Sequence, residues 1–271
     1  MSTTAPVGDA TEARHADGPV HLVDLTDEEV VVLAGTAGVA VLPHLNALPA
    51  EHRDVATGTA YRGLVARGIL EAPTPQQARD AERAAVRDDS ASTEYPVSMP
   101  ESLAHLLRLR AGAGTVVCVA VSSALAQEFC YAHVVDDVVL LEEVTGTGLH
   151  RFSLLEADDL AGQVRRWALH PEAVPGEGDE IVQLPGGADD DPTPPDELLE
   201  RLGAALVRAD VVVRRADDEG QPELVGVFSG PAGTYICTTA FGSRAPVVIR
   251  PTTPDDVEEQ LAARVHTGWP A

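Results

Sequence analysis

The feature that most constrains this chain is internal: from Ser102 onward, one order of patterns is written twice. The first copy has a helical stretch at Ser102–Arg110 and strand-like runs at Thr115–Val121, Glu128–Val134, Val138–Glu143 and His150–Leu154, closed by a helical stretch at Glu156–Leu169. The second has a helical stretch at Asp196–Val207, then strand-like runs near Asp210–Arg215, Glu223–Ser229, Gly233–Thr239 and Val247–Arg250. It closes with a helix from Thr253 to Val265. The offset is nearly constant: Phe129 and Leu224 lie 95 residues apart, Val139 and Tyr235 96, Asp158 and Asp255 97. Both closing helices open on paired acids, Asp158-Asp159 and Asp255-Asp256, which suit the positive end of a helix dipole. Their apolar faces also match, with Leu160, Val164 and Trp167 in one and Val257, Leu261 and Val265 in the other. The period is too long for a solenoid. The pattern predicts an α+β fold: two quasi-two-fold related αββββα units with antiparallel sheet, plus N-terminal helices.

Residues 20–271 read as a single α+β domain: an N-terminal strand and helices (20–100), a first unit (101–170), an acidic linker (171–195) and a second unit (196–271). Residues 1–19 are small, polar and unpatterned, and read as a disordered tail. Val20–Leu25 alternates as a strand does. Thr26 with Glu29 then forms a capping box, in which each side chain satisfies the other's backbone N–H. The helix that follows carries Val30, Leu33 and Ala37, and Gly38 can end it. A second helix runs from Arg53 to Arg67 and stops at Gly68, where glycine adopts the left-handed cap cheaply. Thr74-Pro75-Gln76-Gln77 opens a third, which fades near Asp88. From Glu172 to Glu197 there are nine acidic residues and no basic one, so this stretch reads as a solvated connection.

Composition narrows the function. Hydrophobic residues are 44% of the 271 and aromatics only 4%, so the core must be built from Val, Leu and Ala. The net charge of −24 repels phosphate backbones and disfavours nucleic acid as a partner. Met1–Gly18 lacks the basic start and apolar run of a secretory signal. Val116–Ala126 is too short to span a bilayer and is broken by Ser122 and Ser123. These features point to a soluble, cytoplasmic protein without membrane insertion. Cys118, Cys130 and Cys237 read as free core thiols of a reducing compartment, although a hairpin disulfide between Cys118 and Cys130 stays open.

Linear motifs of chemistry fail one after another. Gly226-Val227-Phe228-Ser229-Gly230 is not a nucleophile elbow, and without lysine there is no phosphate-binding loop of the G-x-x-x-x-G-K type. Gly146-Thr147-Gly148 lies between strands and reads as a turn. The nine histidines are scattered, and no cysteine pair has zinc spacing. Cys130 and His133 are three apart on a strand, so they project to opposite faces. Asp136-Asp137 reads as a two-residue hairpin turn. No catalytic, cofactor-binding or metal residue is expected, and the chain reads as a binding protein rather than an enzyme.

Several segments together resemble the EspG family of ESX (type VII) secretion-associated chaperones. Leu25-Thr26-Asp27-Glu28-Glu29 followed by Val41-Leu42-Pro43-His44-Leu45 looks like that family's opening helix and its follow-on. Tyr61-Arg62-Gly63-Leu64-Val65-Ala66-Arg67-Gly68-Ile69-Leu70 is similar to its next helix end. Gly233-Thr234-Tyr235-Ile236, then Val248-Ile249-Arg250-Pro251 and an amphipathic helix, resemble its C-terminal end. The resemblance implies a non-enzymatic cytosolic chaperone or adaptor without cofactor. Its partner would be a helical secretion substrate, a PE–PPE or WXG-like pair, bound at its apolar tip. The family uses the loop between the first two strands of its first unit, here Ser122, Ser123, Ala124 and Leu125, continuing to Ala126. The alternative is a small-molecule-binding or regulatory α+β protein with a ligand pocket between the repeated sheets.

Overall fold

Val-rich runs bounded by turns pair in sequence order, and they do so across both units. The computed structural model describes residues 18–36, 38–72, 74–77, 79, 98–183, 196–217, 222–240 and 247–266. The strands are β1 (Val20–Thr26), β2 (Thr115–Ser123), β3 (Gln127–Val135), β4 (Val138–Thr145) and β5 (Leu149–Glu156). The second set is β6 (Ile181–Gln183), β7 (Val207–Arg215), β8 (Glu223–Gly230), β9 (Gly233–Ala240) and β10 (Val247–Pro251). They form one antiparallel sheet in the order β1-β5-β4-β3-β2-β7-β8-β9-β10-β6. The units join edge to edge through β2 and β7, paired from Thr115 opposite Arg215 to Ser123 opposite Val207.

This order is the same read from either edge. Because β2 and β7 are antiparallel, the rotation that exchanges them carries β3 onto β8, β4 onto β9 and β5 onto β10, and swaps the two ends of the sheet. It also carries β1 onto β6. The acidic segment read as a solvated connection therefore contains the counterpart of β1. Its first part is held by backbone bonds, Val174 N to Gly230 O and Gly176 N to Thr252 O, and Ile181–Gln183 pairs with β10. Hydrogen bonds of the main chain need no apolar side chains, so composition hid this strap. Register refines the repeat as well. Ala132 faces Leu141 and Val227 faces Ile236, so Val139 corresponds to Thr234 rather than Tyr235. A one-residue slip moves a side chain to the other face of a sheet, and Tyr235 does lie on the other face.

Two layers of helices cover the sheet. On one face, α5 (Leu160–Ala168, entered through a 3-10 turn at Ala157–Asp159) and α7 (Pro254–His266) pack side by side. Leu160, Val164 and Trp167 meet Val257, Leu261 and Val265 there, over Val117, Val119, Ala132, Leu141, Val211 and Val227. The matched apolar stripes seen in the sequence are thus one core. On the other face lie α1 (Asp27–Ala34), α2 (Pro43–Ala47), α3 (Ala50–Ala66) and α4 (Glu101–Gly112), where Val30, Leu103 and Leu106 bury Leu140 and Phe152. The second unit places α6 (Asp196–Gly203) there, with Leu202 against Tyr235 and Ile249.

The Thr26–Glu29 capping box forms as its spacing requires. Its helix ends at Gly35 (φ 73°), earlier than Gly38, and Gly68 takes the left-handed cap after α3. The helix of the second unit stops at Gly203, because Val207 is taken into β7. Thr74 caps residues 75–77 through Gln77. The expected tail up to residue 17 and the rest of that third helix from residue 80 lie outside the described residues.

Gly148 tests how the N-terminal helices seat. It has φ +78°, and a Cβ there would come within 2.7 Å of the His44 Cβ and 2.8 Å of the Asp27 Cγ. Gly148→Ala should lower unfolding stability by about 2 kcal/mol or more. Gly63→Ala, in the open face of α3 with nothing near its Cβ, should raise it by about 0.5–1 kcal/mol. Urea midpoints of the two variants check both signs.

Candidate partner-binding rim and a buried charge cluster

One end of the sheet carries the β2–β3 loop, the β4–β5 turn, the entry to β7 and the β8–β9 turn, as the pairings Ser122–Gln127, Val144–His150, Ser123–Val207 and Gly230–Gly233 require. The strands run further than the sequence suggests: Ser122 and Ser123 belong to β2, and only residues 124–126 form the loop. The loop is braced. Ser123 Oγ accepts the amides of Leu125 at 3.3 Å and Ala126 at 3.2 Å, and Ser123 N donates to Ala126 O at 2.9 Å. A serine turn of this kind fixes the backbone with local bonds. Leu125 stands at its tip, 97% exposed, and Leu206 on the same rim is 49% exposed.

Beside this loop, on the α5 face, lies an open cleft of about 390 Å³. Val121, Cys130 and Leu149 floor it, Trp167, Leu169 and Pro171 wall it, and Glu128, Glu143, Arg151 and Arg166 edge it. Trp167 Nε1 donates to Glu143 Oε1 at 2.8 Å, so the indole is fixed in the wall. Burial, with Glu143 and Glu128 nearby, pushes the Cys130 thiol well up, so it is packing material rather than a nucleophile. Cys118 is likewise raised by burial to about 11. Cys118 and Cys130 lie on opposite faces of the β2–β3 ladder, opposite Tyr131 and Val119 respectively, and both thiols are free. The hairpin disulfide left open by the sequence does not form.

The two units share one sheet, so the space between repeated sheets that a ligand pocket would need does not exist. The rotation maps the β2–β3 loop onto the β7–β8 connection at the far end of the sheet. That connection reads Asp217-Asp218-Glu219-Gly220 where the first reads Ala124-Leu125-Ala126. Only one of the two equivalent loops is apolar.

A second constellation has no linear motif in the sequence. Glu142 on β4, His133 on β3, His150 on β5, Arg110 on α4 and Asp27 at the start of α1 converge under the N-terminal helices. Glu142 Oε2 accepts from Arg110 Nε at 2.8 Å and His133 Nε2 at 2.9 Å; Oε1 accepts from Arg110 at 3.2 Å and His150 Nδ1 at 2.7 Å. Four donors fill the four lone-pair sites of one carboxylate. His150 Nε2 donates to Asp27 Oδ1 at 2.8 Å, and Asp27 Oδ2 accepts the Leu45 amide at 3.0 Å. Burial alone would raise the Glu142 pKa, but the hydrogen bonds from His133 and His150 and the Arg110 charge outweigh it. They hold the carboxyl well below the usual range. Burial would likewise lower His150, but its bonds to Asp27 and Glu142 win and raise it.

Asp27, Glu142 and His150 are fully enclosed and His133 is 2% exposed, so these groups touch one another and nothing from solvent. Among the described residues, no group of three His, Cys, Asp or Glu is placed to hold a metal ion. The one hint in the sequence was Glu142, which follows the apolar run Val138–Leu141, and it does not name the distant partners that a buried carboxylate demands. Glu142→Gln should cost about 3–5 kcal/mol, because it leaves the Arg110 charge buried against a neutral amide. Chemical denaturation measures the loss.

No family model matches the chain, and no curated protein matches it. Among solved structures, the chain is similar to one in the complex of the Mycobacterium tuberculosis type VII secretion system chaperone EspG5 with the PE25-PPE41 dimer. The likeness has a TM-score of 0.51 at 12% identity, and covers 90% of this chain and 96% of that chain. No helix among the described residues is long and apolar enough to cross a membrane. The likeness is one of fold, the α+β architecture that the duplicated pattern predicts.

Proposed function

We propose that this chain is a non-enzymatic, chaperone-like adaptor. It binds the apolar tip of a helical secretion substrate of the PE–PPE type in the cytoplasm, keeps it soluble and directs it to its secretion system. The observation that carries the reading is Leu125, almost wholly exposed on a loop braced by Ser123, beside an open apolar cleft. An exposed leucine on a rigid support has no role in this chain's own core, and it offers the anchor that a helix end needs. The fold likeness to a chaperone solved with a PE–PPE dimer supports the same reading. The contact residues would be Ser122, Ser123, Ala124 and Leu125, with the cleft lining Trp167 and Leu149 as neighbours.

The acidic surface fits the role. A carrier of net charge −24 stays soluble while it covers an aggregation-prone partner. The smallness of the loop limits its own area, so the cleft must supply the rest of the buried surface.

Co-expression with PE–PPE pairs, followed by gel filtration, tests the reading. The expected result is a stable complex that Leu125→Asp weakens by about tenfold or more, the effect of burying an unpaired charge at an apolar anchor. Absence of a complex with the unaltered chain, or equal binding by Leu125→Asp, would overturn it.

A further inference from the structure

The charge cluster belongs to one unit only. Under the rotation that relates the units, Arg110 maps to Leu202, His133 to Phe228, Glu142 to Cys237 and His150 to Val247. These four are half-buried and pack against Tyr235 and Ile249 in one apolar cluster. The same four-strand frame is therefore built with apolar side chains at these positions. The charged set is not what the sheet needs to fold, since a buried ion network gains little over well-packed apolar residues. What differs above it is the helical layer. In the first unit, 27–100 is inserted between the edge strand and α4, and Asp27 at its start is the group that His150 grasps.

The geometry favours a doubly protonated His150. Both ring nitrogens lie within 2.8 Å of carboxylate oxygens, Glu142 Oε1 and Asp27 Oδ1. Ionised carboxylates only accept, so against two of them both nitrogens donate and the ring is an imidazolium. Charges then balance: Arg110 and His150 against Glu142 and Asp27. His133 offers one nitrogen to Glu142, and its Nδ1 has no partner.

We propose that the His150 imidazolium is a latch that clamps the first two N-terminal helices to the sheet, and that loss of its proton releases residues 27–48 while the sheet stays folded. A neutral ring donates only one N–H, so one of two enclosed carboxylates would face a lone pair. Asp27 is the mobile side of the latch. It also fixes the Leu45 amide and, through its own amide, the Gly148 carbonyl at 2.9 Å. The groups around the latch are Glu142 on β4, His133 and Tyr131 on β3, Arg110 on α4, and Asp27, Glu28 and Glu29 on α1. His44 on α2 lies 3.4 Å from Glu28, and Arg67 beyond α3 is ion-paired with Glu29. Among these, His150 alone bridges two carboxylates.

The raised pKa of His150 sets the direction. A group held charged by folding contributes fully below the ordinary imidazole value, and its contribution is lost as pH rises through the raised value.

Nitrogen-15 NMR of the histidine rings and native-state hydrogen exchange of the full chain test the latch. At pH 7 the His150 ring should carry protons on both nitrogens. As pH rises through its midpoint, the Leu45 amide should lose about tenfold or more of its protection, corrected for intrinsic exchange, while Val227 and Ile236 keep theirs. Asp27→Asn removes one acceptor charge, so the His150 midpoint should fall and the pH dependence at residues 43–48 should flatten. A neutral His150 ring at pH 7, or loss of protection at Leu45 and Val227 together, would overturn the latch. So would Leu45 protection that is unchanged across the midpoint.

Discussion

The pairing of β2 with β7 is the contact on which the molecule rests. Each unit alone would present a nine-residue Val-rich edge, and an open edge of that kind invites any strand to add to it. Joining the two edges antiparallel removes both liabilities at once. It also fixes the relation of the units as a rotation about an axis through the sheet. That rotation puts α5 and α7 side by side on one face, where their matched apolar stripes close the larger core. It also sends equivalent loops to opposite ends of the sheet, so a duplicated unit yields ends that are free to diverge. One end carries Leu125 and the cleft, and the other carries Asp136, Asp137 and Asp217.

Much of this was legible in the sequence, for reasons that can be named. The strands of the two units were readable because Val and Leu alternate within short bounded runs. The two-residue Asp136-Asp137 turn then sets the β3–β4 register, with Asp136 at φ 51°. The Thr26–Glu29 box was readable because its two bonds are local. Strand β6 was not, because its three residues are held by main-chain bonds within an acid-rich segment. The edge-to-edge union was also hidden. Nothing in β2 or β7 taken singly says which other strand it will meet.

The buried cluster was illegible for a different reason. Arg110, His133, Glu142, His150 and Asp27 span 123 residues of sequence, and their meeting depends on two strand registers and the seating of two helices. The candidate loop was readable only through resemblance, since Ser-Ser-Ala-Leu-Ala has no chemistry of its own. Its physical content emerges in the fold: the serine braces, the leucine projects, and the cleft lies alongside. Gly148 ties the two regions. Its turn sits on Asp27 on one side and is flanked by the cleft residues Thr145 and Leu149 on the other.

Partner contact at the Leu125 end of the sheet, with the acidic end left bare, is the central claim. Hydrogen–deuterium exchange of the chain with and without a bound PE–PPE pair measures this most directly. Protection should rise at 122–130, 145–151 and 166–171, and stay unchanged at 135–138 and 214–217. Protection confined to the acidic end, or spread evenly over both ends, would contradict it.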